Sequence, residues 1–193
     1  MKRLLITLGA LAAFTLPAHA ALPVGHNAPD IALPASQAGK SFQFSLKQSL
    51  RQGPVVVYFY PAAFTGGCSL QAHEFAVNQD KFKAAGASVI GVSLDSIDRL
   101  NAFSADPASC AGKVPVASDL DGKTAQAYDV AIRQAAPGRT NARGDALDHG
   151  LAERQTFVIT ADGKIAAIIG GVAPDANVAK ALELVQQLAA KKS

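Results

Sequence analysis

The chain carries two cysteines, Cys68 and Cys110, and their number and spacing limit the chemistry available to it. Two thiols are too few for a small scaffold held together by disulfides, and they lack the Cys-x-x-Cys spacing of many redox and zinc sites. In an oxidising compartment two lone thiols become joined unless something keeps them reduced. The pair is therefore either a structural disulfide or a redox-active pair, and the surroundings of Cys68 bear on that choice.

Cys68 lies where a reactive thiolate is expected. Residues 55–60 are six consecutive strand-forming residues, the loop 61–67 follows, and helical spacing begins at about residue 68. The first turn of a helix offers unpaired N–H groups and the positive end of the helix dipole, which stabilise the nucleophilic thiolate. Gly66 and Gly67 allow the backbone to approach a bound substrate closely. We therefore predict that Cys68 attacks an electrophile.

Two separated segments carry a family resemblance. Pro61-Ala-Ala-Phe-Thr65-Gly-Gly-Cys68 resembles the Pro-x-x-x-Thr/Ser-x-x-Cys signature of peroxiredoxins, and Glu153-Arg154-Gln-Thr-Phe-Val-Ile159 resembles the segment with their active-site arginine. Similar short segments occur along the rest of the chain, at residues 28–30, 91–93, 118–122 and 162–164. The resemblance is to the bacterioferritin-comigratory, or Q-type, branch of the family, and it implies a thioredoxin-like fold.

The resemblance implies a thiol-dependent peroxidase that reduces hydrogen peroxide and organic hydroperoxides without a metal or other cofactor. Cys68 would attack the peroxide and become a sulfenic acid. Thr65 would hydrogen-bond the thiolate and the peroxide, and Arg154 would stabilise the negative charge that moves along the reacting atoms. Pro61 would exclude water above the sulfur.

Cys110 is the expected resolving cysteine, which would condense with the sulfenic acid to form a disulfide. Many Q-type members have this cysteine five residues after the attacking one, but His73 occupies that position here. Other members have it on the helix after the next strand, and Cys110 lies somewhat beyond that region. The alternative is that Cys110 takes no part in the reaction. If it does form a disulfide with Cys68, the sequence leaves open whether the bond lies within one chain or between two. His73 either tunes the site or is an ordinary packed or solvent-facing residue. His26 and His149 lie in expected loops and have no spacing that suggests a metal site.

The elements that must position these residues alternate between strands and helices, which predicts an α/β protein with a central mixed sheet flanked by helices. Residues 131–152 are polar and without period, so we predict a long surface loop. Its arginines form either a solvated surface or a docking patch. The other predicted elements are strands at 41–44, 55–60, 88–94, 114–118, 156–160 and 165–169, and helices at 45–50, 68–85, 96–104, 122–128 and 174–190.

The first 20 residues read as a secretory signal peptide, which would leave residues 21–193 as one domain in the periplasm. Lys2 and Arg3 are followed by the apolar stretch Leu4–Leu16 and by Ala18-His19-Ala20, a suitable cleavage site. The alternative is a retained membrane anchor, but the apolar stretch is shorter than the roughly 20 residues that span a bilayer. After cleavage the chain would have no membrane association.

Charge and compartment also limit the partners. Without Lys2 and Arg3 the mature chain has 16 basic and 15 acidic residues, a net charge of 16 − 15 = +1, which argues against nucleic-acid binding. An exported enzyme requires an exported reductant, either a thioredoxin-like protein or a small thiol, and the chain is expected to be a monomer or a homodimer.

Two other function classes remain open from the residues alone. A non-enzymatic binding or holdase module could share the fold, and peroxide consumption with a dithiol would distinguish it. An exported disulfide oxidoreductase would need a Cys-x-x-Cys or Cys-x-x-x-Cys motif, but Gln71 and Ala72 stand where its second sulfur would be.

Overall fold

The computed structural model describes residues 22–191, so the predicted signal peptide lies outside the described residues. Nine strands and six helices are found in this range. The strands are β1 (Ala32–Gln37), β2 (Lys40–Ser45), β3 (Val55–Phe59), β4 (Ser88–Ser93), β5 (Val116–Ser118), β6 (Ile132–Gln134), β7 (Gly150–Ala152), β8 (Gln155–Ile159) and β9 (Ile165–Gly170). The helices are α1 (Leu46–Leu50), α2 (Gly66–Val77), α3 (Gln79–Ala84), α4 (Ile97–Ala105), α5 (Lys123–Ala127) and α6 (Pro174–Ala190).

Seven of the strands form one mixed sheet in the order β2-β1-β5-β4-β3-β8-β9. The pairs β3–β4 and β4–β5 are parallel, whereas β3 pairs antiparallel with β8 on its other side. This arrangement confirms the predicted α/β class and the central mixed sheet. Strand β3 is central, and each of its five residues is buried.

Side chains of β3 alternate between two cores, which explains why its sequence is apolar throughout. Val56 and Tyr58 belong to the core that also holds Phe75 of α2 and Val178 of α6. The neighbouring residues of β3 face the second core, with Tyr128 and other residues from the opposite face of the sheet. Both cysteines, Cys68 and Cys110, belong to the first core.

The helix predicted at residues 68–85 is instead two helices, α2 and α3, that meet at Asn78. The Asn78 side chain donates to the Glu74 carbonyl oxygen (2.9 Å) and accepts from Lys81 Nζ (2.9 Å). An asparagine that bonds nearby backbone competes with continued helix formation. Leu70 and Val77, two of the apolar residues whose spacing suggested that helix, are exposed rather than part of the core.

The segment 131–152 was predicted as a surface loop, and that prediction is wrong in part. Strands β6 and β7 pair antiparallel within it, with Arg133 opposite Leu151, and an isolated bridge joins Thr140 to Ala146. Each strand has three residues, which is too short to show an alternating pattern in sequence. The segment is also anchored to the core, since Leu147 is 5% exposed. Of the helices in residues 22–191, none has the length and apolar character needed to cross a membrane.

Candidate active site

Cys68 is the third residue of α2, directly after the loop that leaves β3. Thr65 is the N-cap residue, and its carbonyl oxygen accepts from the backbone N–H groups of Cys68 (2.9 Å) and Ser69 (2.8 Å). The first N–H groups of a helix have no partner within it, and they carry the positive end of the dipole. Cys68 is 2% exposed, so its sulfur lies at this helix end inside the protein.

Arg154 lies against the sulfur. Its Nη2 atom donates to Cys68 Sγ at 3.4 Å, from the position between β7 and β8. Gly67 makes room for this contact, because a Cβ atom there would lie 3.2 Å from Arg154 Nη2. The guanidinium therefore places a fixed positive charge beside the sulfur.

A buried chain of side chains holds the guanidinium in place. Arg154 Nη1 donates to Gln71 Oε1, and Gln71 Nε2 donates to Asn177 Oδ1 (3.0 Å). The same Asn177 oxygen accepts from the Thr156 hydroxyl (2.6 Å), and Asn177 Nδ2 donates to the Ile169 carbonyl oxygen (3.2 Å). The supporting roles of these residues were not predicted from the sequence, where the available signal was the glutamine three residues after Cys68 on the same helix.

Pro61 and Thr65 occupy different positions relative to the sulfur. Pro61 lines a cleft together with Arg154. The Thr65 hydroxyl donates to the Ala62 carbonyl oxygen (3.0 Å) and provides no side-chain cap for α2. The predicted hydrogen bond from Thr65 to Cys68 is therefore not among those formed, although the hydroxyl oxygen retains lone pairs that can accept from a peroxide O–H.

Cys110 is a free thiol that lies in the turn after α4, close to the start of α2. The Ser109 hydroxyl donates to the Ser69 hydroxyl (3.2 Å), so the residues next to the two cysteines are in contact. Cys110 is fully buried, and this burial, with a smaller contribution from the Asp106 carboxylate, raises the pKa of its thiol strongly. Cys68 is also free. Among residues 22–191 no group of three or more potential ligands is placed to hold a metal ion.

The family was established by comparison with known proteins. The model of the AhpC/TSA family matches residues 24–168. The chain belongs to this family. It is 33% identical over 144 residues to peroxiredoxin Bcp of Escherichia coli, and the aligned residues make up 75% of this chain and 83% of that protein. A 50-residue stretch is 56% identical to chloroplastic peroxiredoxin Q of Sedum lineare, covering 26% of this chain and 27% of that protein.

Solved peroxiredoxin structures share the fold. The crystal structure of peroxidoxin BcpB from Mycobacterium tuberculosis aligns with a TM-score of 0.71 and 29% identity, covering 86% of this chain and 97% of that one. Peroxiredoxin Q from Xanthomonas campestris aligns with a TM-score of 0.63 and 25% identity, and the alignment covers 81% of this chain and 91% of that one. These findings confirm the predicted family and thioredoxin-like fold. The protein is a thiol-dependent peroxidase, and neither the holdase nor the disulfide oxidoreductase alternative is favoured.

The buried chain predicts a positioning role for Gln71 in this peroxiredoxin. Gln71→Leu keeps the side-chain size but removes both hydrogen bonds, so Arg154 is free to leave the sulfur. We expect peroxide to react with the reduced enzyme about tenfold more slowly, because small misplacements of reacting groups are costly. Stopped-flow measurement of the oxidation rate checks this, with Gln79→Leu as a matched control on α3, outside the site. Equal rates for the two variants would show that Gln71 does not position Arg154.

A second buried cluster fixes the loop that precedes Cys68. Asp95 is fully buried after β4, and its carboxylate accepts from the backbone N–H of Ala63 (2.8 Å) and the Ser93 hydroxyl (2.8 Å). It also accepts from Arg99 Nη1 (3.1 Å) and His149 Nε2 (3.0 Å). The next residue, Ser96, is the N-cap of α4. The carboxylate instead ties the peroxiredoxin active-site loop to β4 and to the segment 131–152.

The hydrogen bonds of this cluster require a charged histidine. His149 Nδ1 lies 2.8 Å from the Gly150 carbonyl oxygen and Nε2 faces the Asp95 carboxylate, so only the imidazolium can donate to both. Burial alone would lower the pKa of His149, but the bonds to Asp95 and Gly150 outweigh it and raise the pKa. Burial alone would raise the pKa of Asp95, but the bonds from His149, Ala63 and Ser93 lower it.

These opposite shifts predict a pH window for the cluster's contribution to stability. The raised pKa of His149 gives a contribution that is full below its ordinary value of 6.5 and disappears as pH rises through the folded-state pKa. The lowered pKa of Asp95 gives a contribution that is full above its ordinary value of 3.8 and disappears at lower pH. The cluster therefore stabilises the fold most between these two values.

His149→Gln should accordingly lower the free energy of unfolding more in weak acid than in weak base. Glutamine donates one neutral hydrogen bond at any pH, so only the charge-dependent part is lost. We expect a loss of about 1–2 kcal/mol near pH 5.5, shrinking towards zero near pH 9.5. Urea unfolding at both pH values measures it, with the exposed His26→Gln as control. A loss of the same size at both would mean that the histidine is neutral in the folded protein.

Proposed function

We propose that this peroxidase reduces hydrogen peroxide and organic hydroperoxides through the thiolate of Cys68. The observation that carries the proposal is the contact of Arg154 Nη2 with Cys68 Sγ at the N-terminus of α2. Two sources of positive potential meet at one buried sulfur, where charge interactions are stronger than in water.

The first step is a displacement at oxygen. The Cys68 thiolate attacks one peroxide oxygen, a sulfur–oxygen bond forms, and the oxygen–oxygen bond breaks. Cys68 is thereby oxidised to a sulfenic acid, and the peroxide is reduced to hydroxide or alkoxide, which takes a proton from water. Arg154 stabilises the charge that spreads over the three reacting atoms, and Thr65 accepts a hydrogen bond from the peroxide O–H. Pro61 excludes water from the outer side of the site.

The second step, in this proposal, is resolution by Cys110. Its thiol condenses with the Cys68 sulfenic acid, which gives a disulfide and releases water. Support comes from the Ser69–Ser109 hydrogen bond, which holds the two cysteine-bearing segments together. Both sulfurs are buried, and the pKa of Cys110 is raised by that burial, so the first turn of α2 and the turn after α4 must loosen before the bond can form.

Cys110→Ser should separate the two steps. The first burst of peroxide reduction should be retained, because it requires only the thiolate of Cys68. Continued turnover should then depend on an added thiol, and Cys68 should be over-oxidised more readily to the sulfinic acid. Peptide mapping of the wild-type protein after one equivalent of peroxide should find a Cys68–Cys110 bond. Mapping that finds Cys110 free, with Cys68 as sulfenic acid or bound to a small thiol, would indicate a one-cysteine enzyme.

The remaining steps concern the reductant and the compartment. We propose that a thioredoxin-like protein or a small thiol reduces the oxidised enzyme, and that residues 1–20 direct the chain to the periplasm. The sequence of that segment, a basic start, an apolar stretch and small residues, supports export. Fractionation of expressing cells with N-terminal sequencing should find mature protein beginning at Ala21.

The peroxidase activity itself is tested by peroxide consumption. Purified protein with dithiothreitol should consume hydrogen peroxide and cumene hydroperoxide in proportion to enzyme concentration. No consumption with either peroxide would contradict the proposal and leave a binding module on the same fold.

A further inference from the structure

The segment 131–152 forms one wall of a cleft that is also lined by Arg154, the residue whose guanidinium contacts the Cys68 sulfur. The cleft has a volume of about 350 Å³, and its lining includes Pro61, Arg133, Arg139, Leu151, Glu153 and Arg154. Hydrogen peroxide is far smaller than this space. The cleft is therefore large enough for the organic part of a substrate whose peroxide group lies against Cys68.

The charge of the cleft is positive and unbalanced. Three guanidinium groups line it against the single carboxylate of Glu153. Arg133 and Arg139 are exposed, and neither forms an ion pair with any carboxylate of residues 22–191. Arg99 differs, because it is bonded to buried Asp95. Arg133 and Arg139 are therefore available to an anion that enters the cleft.

Backbone pairing holds the two arginines at fixed positions. Arg133 lies in β6 opposite Leu151 of β7, and the Arg139 carbonyl oxygen accepts from the backbone N–H of Leu147 at 2.9 Å. The neighbouring Ile132 is partly buried and packs against the second core. Arg154 is the second residue after the end of β7. Arg133, Arg139 and Arg154 are therefore parts of one local structure.

We propose that this cleft is a subsite for the carboxylate of an organic hydroperoxide substrate. The proposal rests on the peroxidase function proposed above. Arg133 and Arg139 bind the carboxylate, for which the planar guanidinium offers two parallel donors. Pro61 and Leu151 give an apolar wall for the carbon skeleton, and the peroxide group reaches Cys68 beside Arg154. Hydroperoxides with a carboxylate are then preferred over neutral ones of the same shape.

The test compares para-carboxy cumene hydroperoxide with its methyl ester. Stopped-flow oxidation of the reduced enzyme is measured without any reductant, and each rate constant is divided by that for hydrogen peroxide with the same enzyme. This division removes a general change in the reactivity of Cys68. We expect the wild-type protein to favour the acid over the ester by about tenfold, the scale of one charge-assisted hydrogen bond. Raised ionic strength should reduce the preference.

The variants decide where the preference arises. The double variant Arg133→Gln and Arg139→Gln should lower the acid-to-ester ratio to near one. Arg51→Gln removes one arginine charge from a different cleft and should retain the ratio. No preference in the wild-type protein, or a preference that survives in the double variant, would overturn the proposal. Failure of the wild-type protein to react with hydrogen peroxide would instead contradict the proposed peroxidase function.

A second set of rates shows whether the cleft binds a carboxylate of the peroxide substrate or a carboxylate of the reductant. The oxidised enzyme is reduced with glutathione, which carries carboxylates, and with cysteamine, which carries none. If the double variant slows only the reduction by glutathione and leaves the acid-to-ester ratio of the hydroperoxides intact, the cleft serves the reductant and the substrate proposal is wrong.

Discussion

Cys68→Ser should lower peroxide turnover by at least about 10³-fold, since removal of a catalytic nucleophile has losses of this order or larger. Serine has nearly the size of cysteine, but its hydroxyl is not ionised at neutral pH and does not accept oxygen from a peroxide. The buried position of Cys68 should tolerate the change, so the thermal unfolding temperature should stay near that of the wild-type protein. Peroxide consumption with dithiothreitol measures the loss.

Cys110→Ser is the matched control for this prediction. It makes the same chemical change at the other buried thiol, and it should retain the first turnover. A Cys68→Ser protein that is folded and still consumes peroxide at the wild-type rate would show that the reacting group is not Cys68. If both variants lose the same amount of peroxide turnover and both unfold at lower temperatures, the loss of activity would come from damage to the core that the two cysteines share and not from loss of the nucleophile.

Arg154→Met should slow the reaction of peroxide with the reduced enzyme by on the order of 10²-fold. Methionine keeps much of the apolar length of arginine but removes the charge 3.4 Å from the sulfur and the bond to Gln71. The negative charge that spreads from sulfur to the leaving oxygen then has no fixed cation beside it. Stopped-flow oxidation with hydrogen peroxide measures the change.

Two further variants separate charge from geometry. Arg154→Lys keeps the charge but lacks the planar fork that contacts Gln71 and Cys68 together, so it should recover part of the rate. Arg51→Met removes an arginine outside the site and should react as the wild-type protein does. If Arg154→Met reacts as fast as wild type, another group supplies the positive charge and the role of Arg154 is wrong.

The sequence predicted the local parts of the site well, because each depends on few neighbouring residues. The continuous apolar run of β3 requires burial on both faces, and it ends at the loop whose glycines and helix start place Cys68 at a helix N-terminus. Arg154 lies 86 residues away, and no periodicity connects it to Cys68. Only the resemblance to peroxiredoxins singled it out.

The supporting contacts were not predictable from sequence patterns, because they join residues from distant elements. Gln71 and Asn177 are separated by 106 residues, and Ala63 and Asp95 by 32. Each of these polar residues is common in helices or loops, so nothing in the local sequence shows that the fold buries it beside a partner. Once buried, it must be paired, and this requirement explains the clusters better than any local propensity.

Short elements were the other source of error. The three-residue strands β6 and β7 gain their stability from each other and from Ile132 packed on the core, so their own sequence carries little signal. The break at Asn78 likewise depends on one side chain that bonds the backbone. The error at 131–152 bears on the proposed subsite, because the structure there brings arginines that are scattered in the sequence into the wall of one cleft.

We propose that the Cys68 thiolate is the group that peroxide oxidises first. Reduced protein is mixed with less than one equivalent of hydrogen peroxide in the presence of dimedone, quenched at short times, and digested for mass spectrometry. We predict that the dimedone adduct of a sulfenic acid appears first on the peptide with Cys68, in the wild-type protein and in Cys110→Ser alike. Peroxide that is consumed while Cys68 stays unmodified, or an adduct that appears first on Cys110, would contradict the account.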